Sequence, residues 1–195
     1  KTLDSFEYVG LITDVPMTLI GKTGLAATDM KGLVDYVKAN KEKVTMANAG
    51  IGSASHLCGM LFQAAVGQQV TTVPFSGTGP AMTDLLGGQV DIMCDQTTNT
   101  TTQIDGGKVK AFAVSTPKRL GGSLAKLPTL DESGMKGFNV TIWHGMYAPK
   151  GTPKAVLEKI NTALKAALKD PEFHKREEAL GAVIVTDNRV NPAEH

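Results

Sequence analysis

Lysine and arginine are missing from Val44 through Ile104, and that stretch holds only three acids, Asp84, Asp91 and Asp95. Over the whole chain of 195 residues, 20 basic residues face 19 acidic ones, a formal charge of +1. A chain without a basic field has no electrostatic ground for taking nucleic acid or a membrane surface as its partner. Long apolar runs are also missing: none approaches the roughly 18 to 20 residues a membrane helix needs. The opening Lys1-Thr2-Leu3-Asp4-Ser5 does not read as a signal peptide, so a soluble chain without a targeting segment is expected. Cysteine is limited to Cys58 and Cys94, which have no C-x-x-C spacing and sit among apolar neighbours. Buried thiols are the favoured expectation over a metal site; a disulfide stays open, and two cysteines do not identify a compartment. His56, His144, His174 and His195 show no metal-ligand spacing, so no metal is expected.

What is present is an alternation of short β-rich runs and helical patterns, the order that builds a mostly parallel sheet covered by helices. Strands are expected at Pro16–Ile20, Val44–Ala47, Val70–Phe75, Val90–Cys94, Val109–Ser115 and Ala182–Thr186. Asp29 can cap a helix carrying Met30, Leu33, Val34 and Val37. A second helix is expected to bury Leu57, Leu61, Ala64 and Ala65 and to end at Gly67. Pro80 suits the first position of a third, which Gly87-Gly88 stops, and the Thr-rich 97–102 separates two strands. Gly and Pro content rises over 120–137, and the strand-like Phe138–Ala148 that follows is the candidate crossing between lobes. Thr152-Pro153 opens a helix with Val156, Leu157, Ile160, Leu164 and Leu168 on one face, and Asp170-Pro171 starts another.

The chemistry-bearing segment is Asn48-Ala-Gly-Ile-Gly-Ser-Ala-Ser-His56, a Gly-rich turn from a strand end into a helix. Ligands of open α/β sheets bind outside the carboxyl ends of strands, where helix N-termini offer N–H groups and a partial positive charge. Gly50 and Gly52 let backbone approach closely, and Ser53 or Ser55 can donate a hydroxyl. The turn lacks the last glycine of G-x-G-x-x-G and any G-K-[ST], so a nucleotide cofactor is not expected. Pro74-Phe-Ser-Gly-Thr-Gly-Pro80 and Asp95-Gln96-Thr97 stand in the same strand-to-helix position. Three strand ends would converge with neutral donors and no cationic side chain, which favours a small carboxylate over a polyphosphate. Asp95 either caps the next helix or meets a ligand amine, a water or a backbone donor. Trp143, the lone tryptophan, either lines a cleft or packs against a hinge. The competing reading is an α/β hydrolase using Ser53 or Ser55 with His56, but no G-x-S-x-G elbow surrounds either serine.

Taken together, several stretches resemble the Bug family, the extracytoplasmic solute receptors of tripartite tricarboxylate transporters. They include Ala49-Gly-x-Gly-Ser-x-Ser-His-Leu57, Val73-Pro-Phe-x-Gly-x-Gly-Pro-Ala81, Asp84-Leu-Leu-Gly-Gly-x-Val-Asp91 and Trp143-x-Gly-x-Tyr-Ala-Pro-x-Gly-Thr-Pro153. The resemblance implies a two-lobed α/β protein of the type II periplasmic binding class, with mostly parallel sheets and helices on both faces. It implies a periplasmic monomer that captures a small organic acid without chemistry and passes it to the membrane components of the transporter. On it, residues 16–140 form a complete lobe, 1–15 a fragment of the other with the first crossing, and 141–195 the return crossing with more of that other lobe. The N-terminal part of the first lobe is absent by this reading, so weak or no ligand binding is expected of the chain by itself. The implied ligand contacts are Ala49, Gly50, Gly52, Ser53, Ser55, Ser76, Gly77, Thr78 and Asp95, with Trp143 from the crossing strand. Phe75, Ser76 and Cys94 depart from the family's usual Tyr, basic and aromatic residues there.

Overall fold

The computed structural model describes residues 2–194, the side chain of Leu3 excepted. The chain divides into two compact units, one of residues 16–142 and the other of residues 1–15 with 143–195. Strand β1 (Phe6–Gly21) contributes its first part to one unit and its last part to the other.

In the unit of residues 16–142 the sheet order is β3-β2-β4-β1-β5, with β2 Thr45–Asn48, β3 Thr71–Pro74, β4 Ile92–Gln96 and β5 Lys110–Val114. β2 runs parallel to β3 and β4. β4 and β5 both pair antiparallel with β1, so β1 alone opposes the other strands. The expected mostly parallel sheet therefore stands with β1 as its exception. Alternating side chains give each strand two apolar faces. Leu19, Met46, Ile92 and Cys94 face one cluster with Leu33, Val37 and Phe62 of the helices. Ile20, Ala47 and Met93 face the other with Ala81, Met82 and Leu85. Two covered faces explain the unbroken apolar runs in these strands.

Helix α1 (Met30–Asn40) starts where Asp29 accepts from the Gly32 N–H at 2.7 Å, as its capping position suggests. α2 (Ala54–Val66) ends at Gly67, which is left-handed at φ 69°. α3 (Thr78–Leu86) starts two residues before Pro80, which still lies in the first turn where its missing N–H costs nothing. The Thr-rich tract is itself a helix, α4 (Thr97–Asp105), with Thr97, Thr100 and Thr101 buried. Thr100 accepts from the Thr18 hydroxyl at 2.6 Å, so this buried face is polar and has no apolar period to read.

Two expectations are corrected. α2 does not bury Leu57, Leu61, Ala64 and Ala65: Leu57 is 51% and Leu61 49% exposed, and the buried side is Ser55, Cys58, Gly59, Phe62 and Val66. Small residues let this side lie close on the sheet; a Cβ on Gly59 would stand 3.1 Å from the Met46 Cε. Nor are Cys58 and Cys94 thiols. They form a disulfide, with Cα atoms 6.0 Å apart.

The other unit pairs β6 (Thr141–Pro149) and the short β7 (Val183–Ile184) with β1. Val9, Ala148, Leu164, Leu168 and Ile184 make its core with residues of α5 (Lys154–Ala167) and Phe173 of α6 (Pro171–Ala179). Asn161 ties it together, donating to the carbonyls of Val9 and Val190, each at 2.8 Å. Gly10 is needed there, since a Cβ would lie 2.3 Å from the Val190 carbonyl oxygen. No helix among the described residues is long and apolar enough to cross a membrane.

Candidate functional site

Because β2, β3 and β4 are parallel, their carboxyl ends lie at one edge, and each leads at once into a helix. Asn48 pairs in register with Pro74, and the Phe75 N–H donates to the Asn48 carbonyl at 3.0 Å. The turn after β2 folds on itself. The Asn48 Oδ1 accepts from the Gly50 N–H at 2.9 Å, and Gly50 (φ 118°) and Gly52 (φ 81°) take conformations that L side chains resist. Gly50 also has the Phe75 carbonyl 3.2 Å from where a Cβ would stand, which draws the first two loops together.

Three helix N-termini follow. Ser53 caps α2, its hydroxyl accepting from the His56 N–H at 3.2 Å. Gly77 (φ 152°) and Gln96 precede α3 and α4 without any side-chain cap, so the first-turn N–H groups of both keep their donor capacity. Three polar side-chain atoms here have no hydrogen-bond partner among the described residues: the Asn48 Nδ2, the Gln96 Oε1 and the Thr97 Oγ1. Asn48 is 2% and Thr97 0% exposed, and a buried polar atom left unpaired costs about 1 to 3 kcal/mol. Asn48 also lines a cavity of about 10 Å³ with Ser55, His56, Gln63 and Thr72, close to the room one water needs.

Asp95 is 2% exposed at the end of β4. Burial pushes its carboxyl up to about 6, against the opposing pull of donors from the Gln96 N–H, the Asn99 side chain and the Thr78 side chain. The Asn99 amide lies 3.3 Å away. Asp95 thus touches the starts of both α3 and α4, which goes beyond capping the following helix.

The serine–histidine reading fails on geometry. The Ser53 hydroxyl serves the cap, the Ser55 hydroxyl donates to the Cys94 carbonyl at 2.6 Å, and the His56 Nδ1 accepts from the Gly52 N–H at 3.3 Å. Among the described residues neither hydroxyl is hydrogen-bonded to the imidazole, and no acid orients the ring. Among the described residues no group of three or more His, Cys, Asp or Glu could hold a metal.

The family model for the tripartite tricarboxylate transporter family receptor matches residues 1–190. The chain belongs to that family. A relative of this receptor family, the "UPF0065 protein in the TAR-I ttuE-ttuC' intergenic region" of Agrobacterium vitis, is 49% identical over 193 residues. Those residues are 99% of this chain and 56% of that protein, so the chain spans little more than half of the relative's length. The periplasmic binding protein BugD is 56% identical, with a TM-score of 0.93 over 97% of this chain and 62% of its own. MatC from Rhodopseudomonas palustris, solved with bound malate, is 35% identical, with a TM-score of 0.91 over 98% of this chain and 65% of its own. These likenesses give the chain the periplasmic binding protein fold of the receptor family.

Of the residues singled out from the sequence, Ala49, Gly50, Gly52, Ser53, Ser76, Gly77, Thr78 and Asp95 lie at this one edge of the sheet. Ser55 is beside them but 3% exposed and committed to Cys94, so it is a brace and not a free donor. Trp143 belongs to the other unit, where it is 54% exposed with its ring centroid 6.4 Å from that of Tyr147. Sequence reasoning placed Asn48, Gln96 and Thr97 in the converging turns but did not single them out as ligand contacts. Their signal was a run of amides and hydroxyls at strand ends, where a buried apolar residue would be the cheaper choice.

Proposed function

We propose that this chain is part of a periplasmic receptor that captures a small organic acid through its carboxylate and passes it to the membrane components of a tripartite transporter. The observation that carries the reading is the convergence of three helix N-termini at the ends of β2, β3 and β4, with unpartnered buried donors on Asn48 (Nδ2) and Thr97 (Oγ1) and no Lys or Arg in the three turns. A carboxylate desolvated there exchanges water for oriented N–H and hydroxyl donors, and each such charge-assisted bond contributes about 1.5 to 3 kcal/mol. Malate in MatC is a ligand of this chemical kind. The Ser53 and Ser55 hydroxyls are committed to the α2 cap and to the Cys94 carbonyl, which supports binding over catalysis. The Cys58–Cys94 disulfide fits an oxidising compartment such as the periplasm. Residues 16–140 are read as the complete lobe and the remainder as part of the other, acting as a monomer.

The test is calorimetry and thermal shift, with millimolar malate, adipate and benzoate, of a form of the protein that includes a complete first lobe. Heat or a higher melting temperature with at least one acid, and no hydrolysis of p-nitrophenyl acetate above the rate in buffer, is the expected result. No response to any acid together with ester turnover lost in His56→Ala would favour the hydrolase reading instead.

A further inference from the structure

Helix α2 carries the richest of the three donor turns, yet its first half is poorly anchored. Of residues 54–59 only Ser55, Cys58 and Gly59 are buried, none of them a large apolar group. The large anchors, Phe62 and Val66, come in the second half, while Leu57, Met60 and Leu61 face outward. The turn leading into the helix contains two left-handed glycines and an Ile51 that is 74% exposed, so packing does little to hold it. Two ties replace the missing anchor, and both end on one residue of β4. The Ser55 hydroxyl donates to the Cys94 carbonyl at 2.6 Å, and one helical turn later Cys58 is bonded to Cys94. Cys94 immediately precedes Asp95, which holds Thr78 of α3 and Asn99 of α4. The residue pair 94–95 is thereby connected to the starts of all three helices.

We propose that Cys58 and Cys94 are positioning residues: their bond holds the N-terminal turn of α2 at the β4 end, in register with the donors of α3 and α4. Both cysteines are 0% exposed, so the bond is closed to solvent thiols while the unit is folded and forms as the chain folds under oxidising conditions. Without it the first half of α2 loosens while the second half stays on the sheet through Phe62 and Val66. This rests on the turn being a carboxylate donor, and the experiment separates the two.

Amide hydrogen exchange and malate titration of the oxidised chain are compared with those of Cys58→Ala/Cys94→Ala and of Cys58→Val/Cys94→Ala, at a temperature where each is folded. Exchange at residues 52–58 is expected to rise at least about tenfold, with residues 62–66 and β2 changing far less. The Kd for malate is expected to weaken by about tenfold or more, with the pairing of β2 and β4 intact. Exchange that rises evenly through the unit, no rise at all, or failure of both variants to fold would overturn the proposal, because each makes the bond a global staple or an idle one. A local rise with unchanged Kd would overturn it too. If the oxidised chain itself ignores malate, the exchange pattern still decides the positioning role, and the receptor reading is decided separately by the form that includes a complete first lobe.

Discussion

Asp95 is kept at a cost to stability. Its carboxyl is pushed up to about 6 by burial, above the 3.8 of an exposed aspartate. Folding therefore favours its protonated form, and the stability this contributes is complete below about pH 4 and is lost as pH rises through about 6. Asp95→Asn should be more stable than the parent at pH 7.5, by about 1 to 3 kcal/mol, and no more stable at pH 4. Denaturant midpoints of both chains across this range check it, and two parallel curves would contradict the account. Gly50→Ala should cost about 1 to 3 kcal/mol, because it puts a side chain at φ 118° facing the Phe75 carbonyl, and should weaken carboxylate binding with it. The glycines and serines of this turn were readable in the sequence, since their residue types announce their conformations. The role of Asp95 was only half readable: its position follows from the strand, but its contact with Thr78, seventeen residues upstream, comes from the fold and not from any local period.

Helix α2 shows where element-level reading fails. Its position and both ends follow from Ser53 and Gly67, yet the choice of Leu57 and Leu61 as the buried face put it on the sheet by the wrong side. Hydrophobic periodicity assumes that the largest apolar residues go inside. Here a close approach of helix to sheet, set by Gly59 against Met46 and by the disulfide, selects small residues. Phe62→Ala should therefore destabilise by about 3 to 5 kcal/mol, while Leu61→Ala should change stability by no more than about 0.5 to 1 kcal/mol. Chemical denaturation of both variants measures the difference, and equal losses would show the helix to be turned as the periodicity suggests. Helix α4 is the reverse case. A threonine tract has weak helix propensity, and only its buried hydroxyl contacts with Thr18 and its own carbonyls reveal why it is helical.

For the molecule as a whole, the α/β class, the element order apart from α4 and the receptor family were legible, because parallel strand–helix units and the Gly-rich turns leave local signals. The disulfide, the polar core under α4 and the unpartnered atoms of Asn48, Gln96 and Thr97 were not, because each depends on residues far apart in the chain. The charge pattern carries through to binding. A carboxylate held by neutral donors should show only a shallow dependence on ionic strength, with affinity changing less than about threefold between 50 and 500 mM salt. A steep loss would point to a cationic side chain in the grip.

The central claim is that the acid is held at the ends of β2, β3 and β4. Titration of the isotopically labelled chain with malate, followed by backbone amide shifts, tests it most directly. The account predicts shifts concentrated at residues 49–56, 76–79 and 95–99. Saturable shifts centred elsewhere, or none at those residues in a form that includes a complete first lobe and binds the acid by calorimetry, would contradict it.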